Sequence, residues 1–215
     1  MRPDELRRLC SDAHTPASRP LDVLARVCRR GAAGWALAEL PTTGAALEAA
    51  AEQLRLGRAE FAPALLAMLD ITATQPLRLA SMAELAPAEL STALCALVRG
   101  VCAALLLDGA HAGEAAADDE AAGEVRDAAL RALAALAEHS ARAPPVLRLH
   151  AALLDGGALD ALIDALHAAT PGGASGDEVV EKRLEQLLRP LAAIALDERA
   201  APLLEPRVAL SLIHI

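Results

Sequence analysis

The stretch Leu133-Ala134-Ala135-Leu136-Ala137 returns 58 positions later as Leu191-Ala192-Ala193-Ile194-Ala195, and each copy is followed by a polar break and a further apolar segment. Leucine or isoleucine at three- and four-residue spacing in an alanine background is the periodicity of an α-helix. A helical pattern that returns along a chain predicts stacked units, each burying against its neighbour a face it cannot bury alone. Stacks of this kind build extended surfaces for holding other molecules, so the repeat predicts a binding architecture and leaves the partner open.

The rest of the composition agrees. Of the 215 residues 54% are hydrophobic, yet there is no tyrosine, and Trp35 and Phe61 are the only large aromatics. The core is therefore expected to consist of leucine knobs packed between alanines, helix on helix. No stretch of useful length alternates apolar and polar residues, which argues against strands and for an all-α chain.

The helices can be placed by their punctuation. Pro20 with Leu21, Val23, Leu24 and Val27 predicts a helix running to about Leu40 and stopped by Pro41. Thr43 is expected to cap the next, which runs to about Leu56 and exits at Gly57. Phe61, Leu65, Leu66 and Leu69 mark a third, and Pro76 opens a brief one. Pro87 opens a longer helix through Leu90, Leu94, Leu97, Val101 and Leu105. Residues 108–122 are small and acidic and predict a low-complexity loop or a frayed helix start. Helices then follow over about 123–139, after Pro144-Pro145, and from Gly156-Gly157 through Leu166. Beyond the glycine-rich loop 170–176, Asp177 caps a long helix that Pro190 should kink, and a last helix starts near Ala200.

The segment Gly156-Gly157-Ala158-Leu159-Asp160-Ala161-Leu162-Ile163-Asp164-Ala165-Leu166 resembles the second helix of an armadillo repeat. Val125 to Ser140 is similar to the long third helix of the preceding repeat, Pro145 to Leu154 to a short first helix, and Glu178 to Asp197 to a third helix again. Phe61 to Leu69 is similar to another second helix, with Glu60 where that pattern has glycine. HEAT repeats share the same helix pattern. The resemblance implies a right-handed armadillo/HEAT-like α-solenoid, with degenerate repeats in residues 1–107 and armadillo-like repeats in 123–210. The last residues, Leu210-Ser211-Leu212-Ile213-His214-Ile215, resemble translated sequencing adapter. The tail 211–215 is accordingly expected to be foreign, and the solenoid short and truncated.

The implied function is a protein–protein interaction scaffold, not an enzyme, that needs no cofactor and holds a protein or peptide segment along its groove. Third helices line that groove in armadillo-like proteins. Aligning the two such helices here sets Asp127 and Arg131 opposite Glu185 and Arg189, each an acid–base pair at four-residue spacing and together a candidate partner-binding stripe. The same pairs also fit surface salt bridges, worth about 0.2–0.5 kcal/mol each. On the residues alone, Arg26, Arg29 and Arg30 share a helix face and are candidates for holding an acidic peptide or a phosphate, or else form a solvated face.

Charge and cysteine content narrow the partners. The chain has a net charge of −9, with net +3 in residues 1–30 and −12 beyond. A largely acidic body argues against nucleic acid. Cys10, Cys28, Cys95 and Cys102 form no CxxC pair, and no histidine or third sulfur stands at ligand spacing, so buried thiols are expected in place of a metal. The longest apolar charge-free run, Gly100 to Leu107, falls far short of the roughly 20 residues a membrane span requires. A soluble protein of the cytoplasm or nucleus is expected. Two other readings remain open at this point: a helical regulatory or catalytic domain with a closed pocket, and a structural piece of a larger assembly.

Overall fold

A computed structural model describes residues 2–12, 15–75, 87–107, 116–142, 149–169, 185–190 and 192. Within them the chain is helical, with no strand among the described residues. The helices are α1 (Pro3–Ser11), α2 (Ser18–Gly31), α3 (Leu40–Arg55), α4 (Ala62–Thr74), α5 (Pro87–Leu105), α6 (Ala116–Arg142), α7 (Leu149–Asp155) and α8 (Ala158–Ala169). Short 3-10 turns at Leu37–Glu39 and Ala59–Phe61 lead into α3 and α4. Residues 185–190 are helical as well.

From α1 to α7, each helix packs on the next but one. α1 lies on α3, α3 on α5 and α5 on α7, while α2 lies on α4 and α4 on α6. The odd and even helices thus form two layers, and the apolar core runs between them from Leu6 and Leu24 through Leu47, Leu65 and Leu97 to Leu133 and Leu162. α8 adds to the odd layer, against α5 and α7.

The closest approach is between α3 and α5. A Cβ at Gly44 would overlap the backbone carbonyl of Ala96, and one at Gly100 would overlap the carbonyl of Gly44. The two backbones therefore touch directly, with Leu47, Leu97 and Val101 fully buried around the crossing. Gly156 approaches α5 similarly, its missing side chain leaving room for Val98.

Two helix boundaries differ from the sequence reading, for one reason. α2 does not continue from Pro20 to Leu40; it ends at Gly31, and Gly34 takes a φ of 91°. That turn brings Trp35 back over Gly31, where any Cβ would overlap its ring, and buries it to 1% exposure. The indole Nε1–H donates to Thr72 Oγ1 on α4 at 3.1 Å, and that hydroxyl donates to the Met68 carbonyl at 2.8 Å. Burying a large ring with its polar atom satisfied outweighs the propensity for an uninterrupted helix. Trp35 reaches the core from the link after α2. Pro41 then opens α3 in place of closing α2, since a first-turn position needs no N–H. Thr43, expected as a cap, lies inside α3.

α1 has no counterpart in the sequence reading, whose first helix starts at Pro20, while the later helices fall close to their expected places. α4 and α5 match their apolar spacing, and Gly57 and Gly157 carry the positive φ of the turns after α3 and α7. α6 starts at Ala116, so residues 116–122 are helix; alanine propensity sustains the backbone there. The brief helix at Pro76, the cap at Asp177, the loop 170–176, the helix near Ala200 and the tail 211–215 lie outside the described residues.

Candidate functional site

The third-helix stripe divides into two cross-links. Arg131 on α6 pairs with Asp70 on α4 at 3.3 Å, and Arg189 pairs with Glu138 on α6 at 2.8 Å. Each arginine thus reaches a neighbouring helix instead of the acid four residues before it. Asp127 and Glu185 are exposed and belong to neither pair. The Arg131 and Asp70 side chains are 60% and 58% exposed, so solvent screens the bond and its contribution is about 0.2–1 kcal/mol. The pairs link α4 to α6 and α6 to residues 185–190.

The α2 arginines have a different setting. A cavity of about 400 Å³ opens between α2 and the start of α3, lined by Val23, Arg26, Val27 and Arg30 from α2 and by Trp35, Ala38, Glu39, Thr42 and Thr43. Its size is in the range of small-ligand pockets. Arg26 and Arg30 are four apart and therefore neighbours on one helix face. Arg29 is exposed but does not line the cavity. Arg26 donates through Nε to the Asp22 carbonyl at 3.3 Å, and Arg30 forms no ion pair with any described residue.

The opposite wall is the N-terminal turn of α3, the positive end of a helix dipole. Thr43 is fully buried there, and its hydroxyl oxygen has no hydrogen-bond partner among the described residues. A buried hydroxyl without a partner costs free energy and is uncommon in folded proteins. Glu39 supplies the one carboxylate of the lining among the described residues, and its Oε2 accepts the Ala36 N–H at 3.0 Å. Sequence reading found Arg26 and Arg30, gave Thr43 the role of a helix cap, and did not bring Thr42 or Trp35 to this site. The available signal was the pair of hydroxyl residues directly after Pro41, at a helix start.

A second hollow, of about 380 Å³, lies between α1, α3 and α5. Arg7 crosses it to pair with Glu48, Nη2 to Oε2 at 2.9 Å, and Cys10, Ser11 and Gln53 line it. The bridge already neutralises its main charges, so it offers an incoming ion less than the α2–α3 cavity does.

The thiols are inert by environment. Cys10, Cys95 and Cys102 are buried and Cys28 is half-buried. Cys28 Sγ donates to the Ala64 carbonyl at 3.7 Å and Cys95 Sγ to the Ala152 carbonyl at 3.6 Å. Burial pushes all four thiols up, and Cys102, with Asp160 adding to the effect, is pushed to about 12. A nucleophilic or metal-binding cysteine needs the reverse shift, toward thiolate.

This has a measurable consequence. Each thiol holds its proton more tightly folded than unfolded, so their contribution to stability is complete below pH 9 and is lost as pH rises from 9 toward about 12. The melting temperature is expected to fall through that window. At pH 8, folded Cys102 carries about a thousandfold less thiolate than a free cysteine with the ordinary value of 9.0. Iodoacetamide should modify Cys102 last, and only on unfolding, in a peptide-mapping time course by mass spectrometry. Its labelling ahead of half-buried Cys28 would contradict this placement.

No helix among the described residues is long and apolar enough to cross a membrane. No family model, curated protein or solved structure matches the chain.

Proposed function

We propose that this protein is a helical-repeat interaction scaffold, an armadillo/HEAT-like α-solenoid that holds an acidic segment of a partner protein and catalyses no reaction. The observation that supports it is the next-but-one packing of α1 to α7, which is how the two-helix units of such solenoids stack. In solenoids, stacking of this kind builds extended surfaces along each layer. The even row here is α2, α4 and α6, and Arg189 links residues 185–190 to α6 through Glu138.

The partner segment anchors at the α2–α3 cavity, where Arg26 and Arg30 present guanidiniums not committed to ion pairs with described residues. Arg131 and Arg189, the other candidates, are already paired with Asp70 and Glu138. A guanidinium that must leave a carboxylate to bind another gains little by the exchange.

The test compares two double variants for binding of fluorescein-labelled acidic nonapeptide pools, read by anisotropy. Arg26→Glu with Arg30→Glu is expected to weaken binding at least tenfold. Arg131→Glu with Arg189→Glu should weaken it less than about threefold, the order of a screened surface ion pair. A larger loss from the second variant would return the groove to the third-helix stripe, and no binding by the unaltered chain would defeat the scaffold reading.

A further inference from the structure

We propose that the cavity between α2 and α3 is a seat for a phosphorylated side chain of the partner protein, gripped by Arg26, Arg30 and the hydroxyl of Thr43. The inference rests on the scaffold reading and deepens it by naming what the anchored residue carries.

Donor geometry favours a phosphoryl group over a carboxylate. A carboxylate has two oxygens in one plane, and a single guanidinium satisfies it through two parallel bonds. Here two arginines line one wall, while Thr42 and Thr43 in the N-terminal turn of α3 line the other. Donors converging from both sides match the three terminal oxygens of a tetrahedral phosphoryl group, which carries a charge of about −1.5 to −2 near neutral pH. Thr43 contributes a separate argument. The residue lines the cavity, and its buried hydroxyl has no partner among the described residues, so a ligand oxygen that reaches it gains a bond at no cost in internal bonds.

Size and wall chemistry point to a side chain of a protein instead of a free ion. The cavity, about 400 Å³, is of the size that holds a ligand far larger than one phosphate. Val23, Val27 and the Trp35 ring give it an apolar wall against which the stem and neighbours of a phosphorylated residue can pack. Glu39 is the opposing charge. With its Oε2 occupied by the Ala36 N–H, it repels an anion and weakens the seat to reversible binding.

The chain contains one tryptophan and no tyrosine, so its intrinsic fluorescence reports on this wall alone. The experiment titrates the full chain with three degenerate nonapeptide pools that differ only at the centre: phosphoserine, glutamate or serine. Trp35 emission and the anisotropy of labelled peptide are followed together. The phosphoserine pool is expected to shift Trp35 emission and to bind at least tenfold tighter than the glutamate pool. Arg26→Gln and Arg30→Gln should each lose at least tenfold, and Glu39→Gln should gain severalfold.

Thr43→Val separates binding from folding. It replaces an unpartnered buried hydroxyl by a methyl of similar size, so the melting temperature should rise by about 2–4 °C. Affinity for the phosphoserine pool should fall severalfold in the same protein. Equal or tighter binding of the glutamate pool overturns the phosphate seat and leaves the scaffold reading standing. Inorganic phosphate or free phosphoserine binding as tightly as the peptide overturns the protein partner in favour of a small ligand. Weaker binding after Glu39→Gln assigns the cavity to a cationic or zwitterionic group and overturns the proposal. Loss of all peptide anisotropy defeats the seat and the scaffold together.

Discussion

Replacing Gly44 by leucine is expected to abolish the cooperative thermal transition of this protein. A side chain at position 44 points into the backbone of α5 at Ala96, and backbone cannot rotate aside as a side chain can. The only accommodation is to part α3 from α5, the most extensive helix pairing in the structure. Leu47, Leu97 and Val101 close over that crossing with no solvent exposure. Burial of each contributes about 1.5–3 kcal/mol. Their partial loss is comparable with the roughly 5–15 kcal/mol that holds a typical domain folded.

Alanine substitutions sharpen the test because helix propensity alone favours alanine over glycine by about 1 kcal/mol wherever the glycine is inside a helix. Gly123 lies within α6, and a Cβ there meets nothing nearer than an Arg126 nitrogen at 4.0 Å. Gly123→Ala should therefore stabilise by about that amount. Gly44→Ala and Gly100→Ala meet backbone, and overpacking at about 1–3 kcal/mol outweighs the gain. Urea melts followed at 222 nm would show opposite signs for the same chemical change. A stabilised Gly44→Ala protein would mean that the backbones do not touch.

Trp35→Ala is expected to lose about 3–5 kcal/mol, the usual cost of deleting a buried large aromatic. Trp35 is the largest of the fully buried side chains, and it holds three pieces of chain together: the end of α2 at Gly31, its own link and α4 at Thr72. Thr72 keeps its bond to the Met68 carbonyl when the indole is removed, so the loss comes from the void and not from an orphaned hydroxyl. Trp35→Phe fills most of that void and forfeits the 3.1 Å bond to Thr72, so it should cost about 1–2 kcal/mol. Chemical denaturation followed by circular dichroism decides between the two magnitudes. The alanine variant should also bind the phosphoserine pool poorly, since Trp35 forms one wall of the cavity.

Much of this molecule was legible in local pattern. The leucine spacing of α4, α5 and α8 marks helices because three- and four-residue periodicity is a property of one helix and needs no partner. Arg26 and Arg30 could be placed on a common face for the same reason. The misreadings at Pro41 and Thr43 arose where a distant residue overruled a local preference. Proline is compatible with both the end and the first turn of a helix, and Trp35 settles which by turning back at Gly34 to reach Thr72. The partners of Arg131 and Arg189 were misjudged likewise, since a four-residue acid is always within reach in a sequence, whereas Asp70 and Glu138 come within reach only once helices stack.

By itself, then, the sequence determined the all-α class, the position of most described helices, and the pair of arginines on α2, all of which follow from interactions within about two helical turns. Only the tertiary structure decided that helices pack on the next but one, that Gly44 and Gly100 let two backbones touch, and that Thr43 is buried facing a cavity beside Arg26 and Arg30. These features join residues up to about sixty positions apart, and no local period carries that information: it arises when alanine-rich faces close against one another and fix which side chains are left to meet.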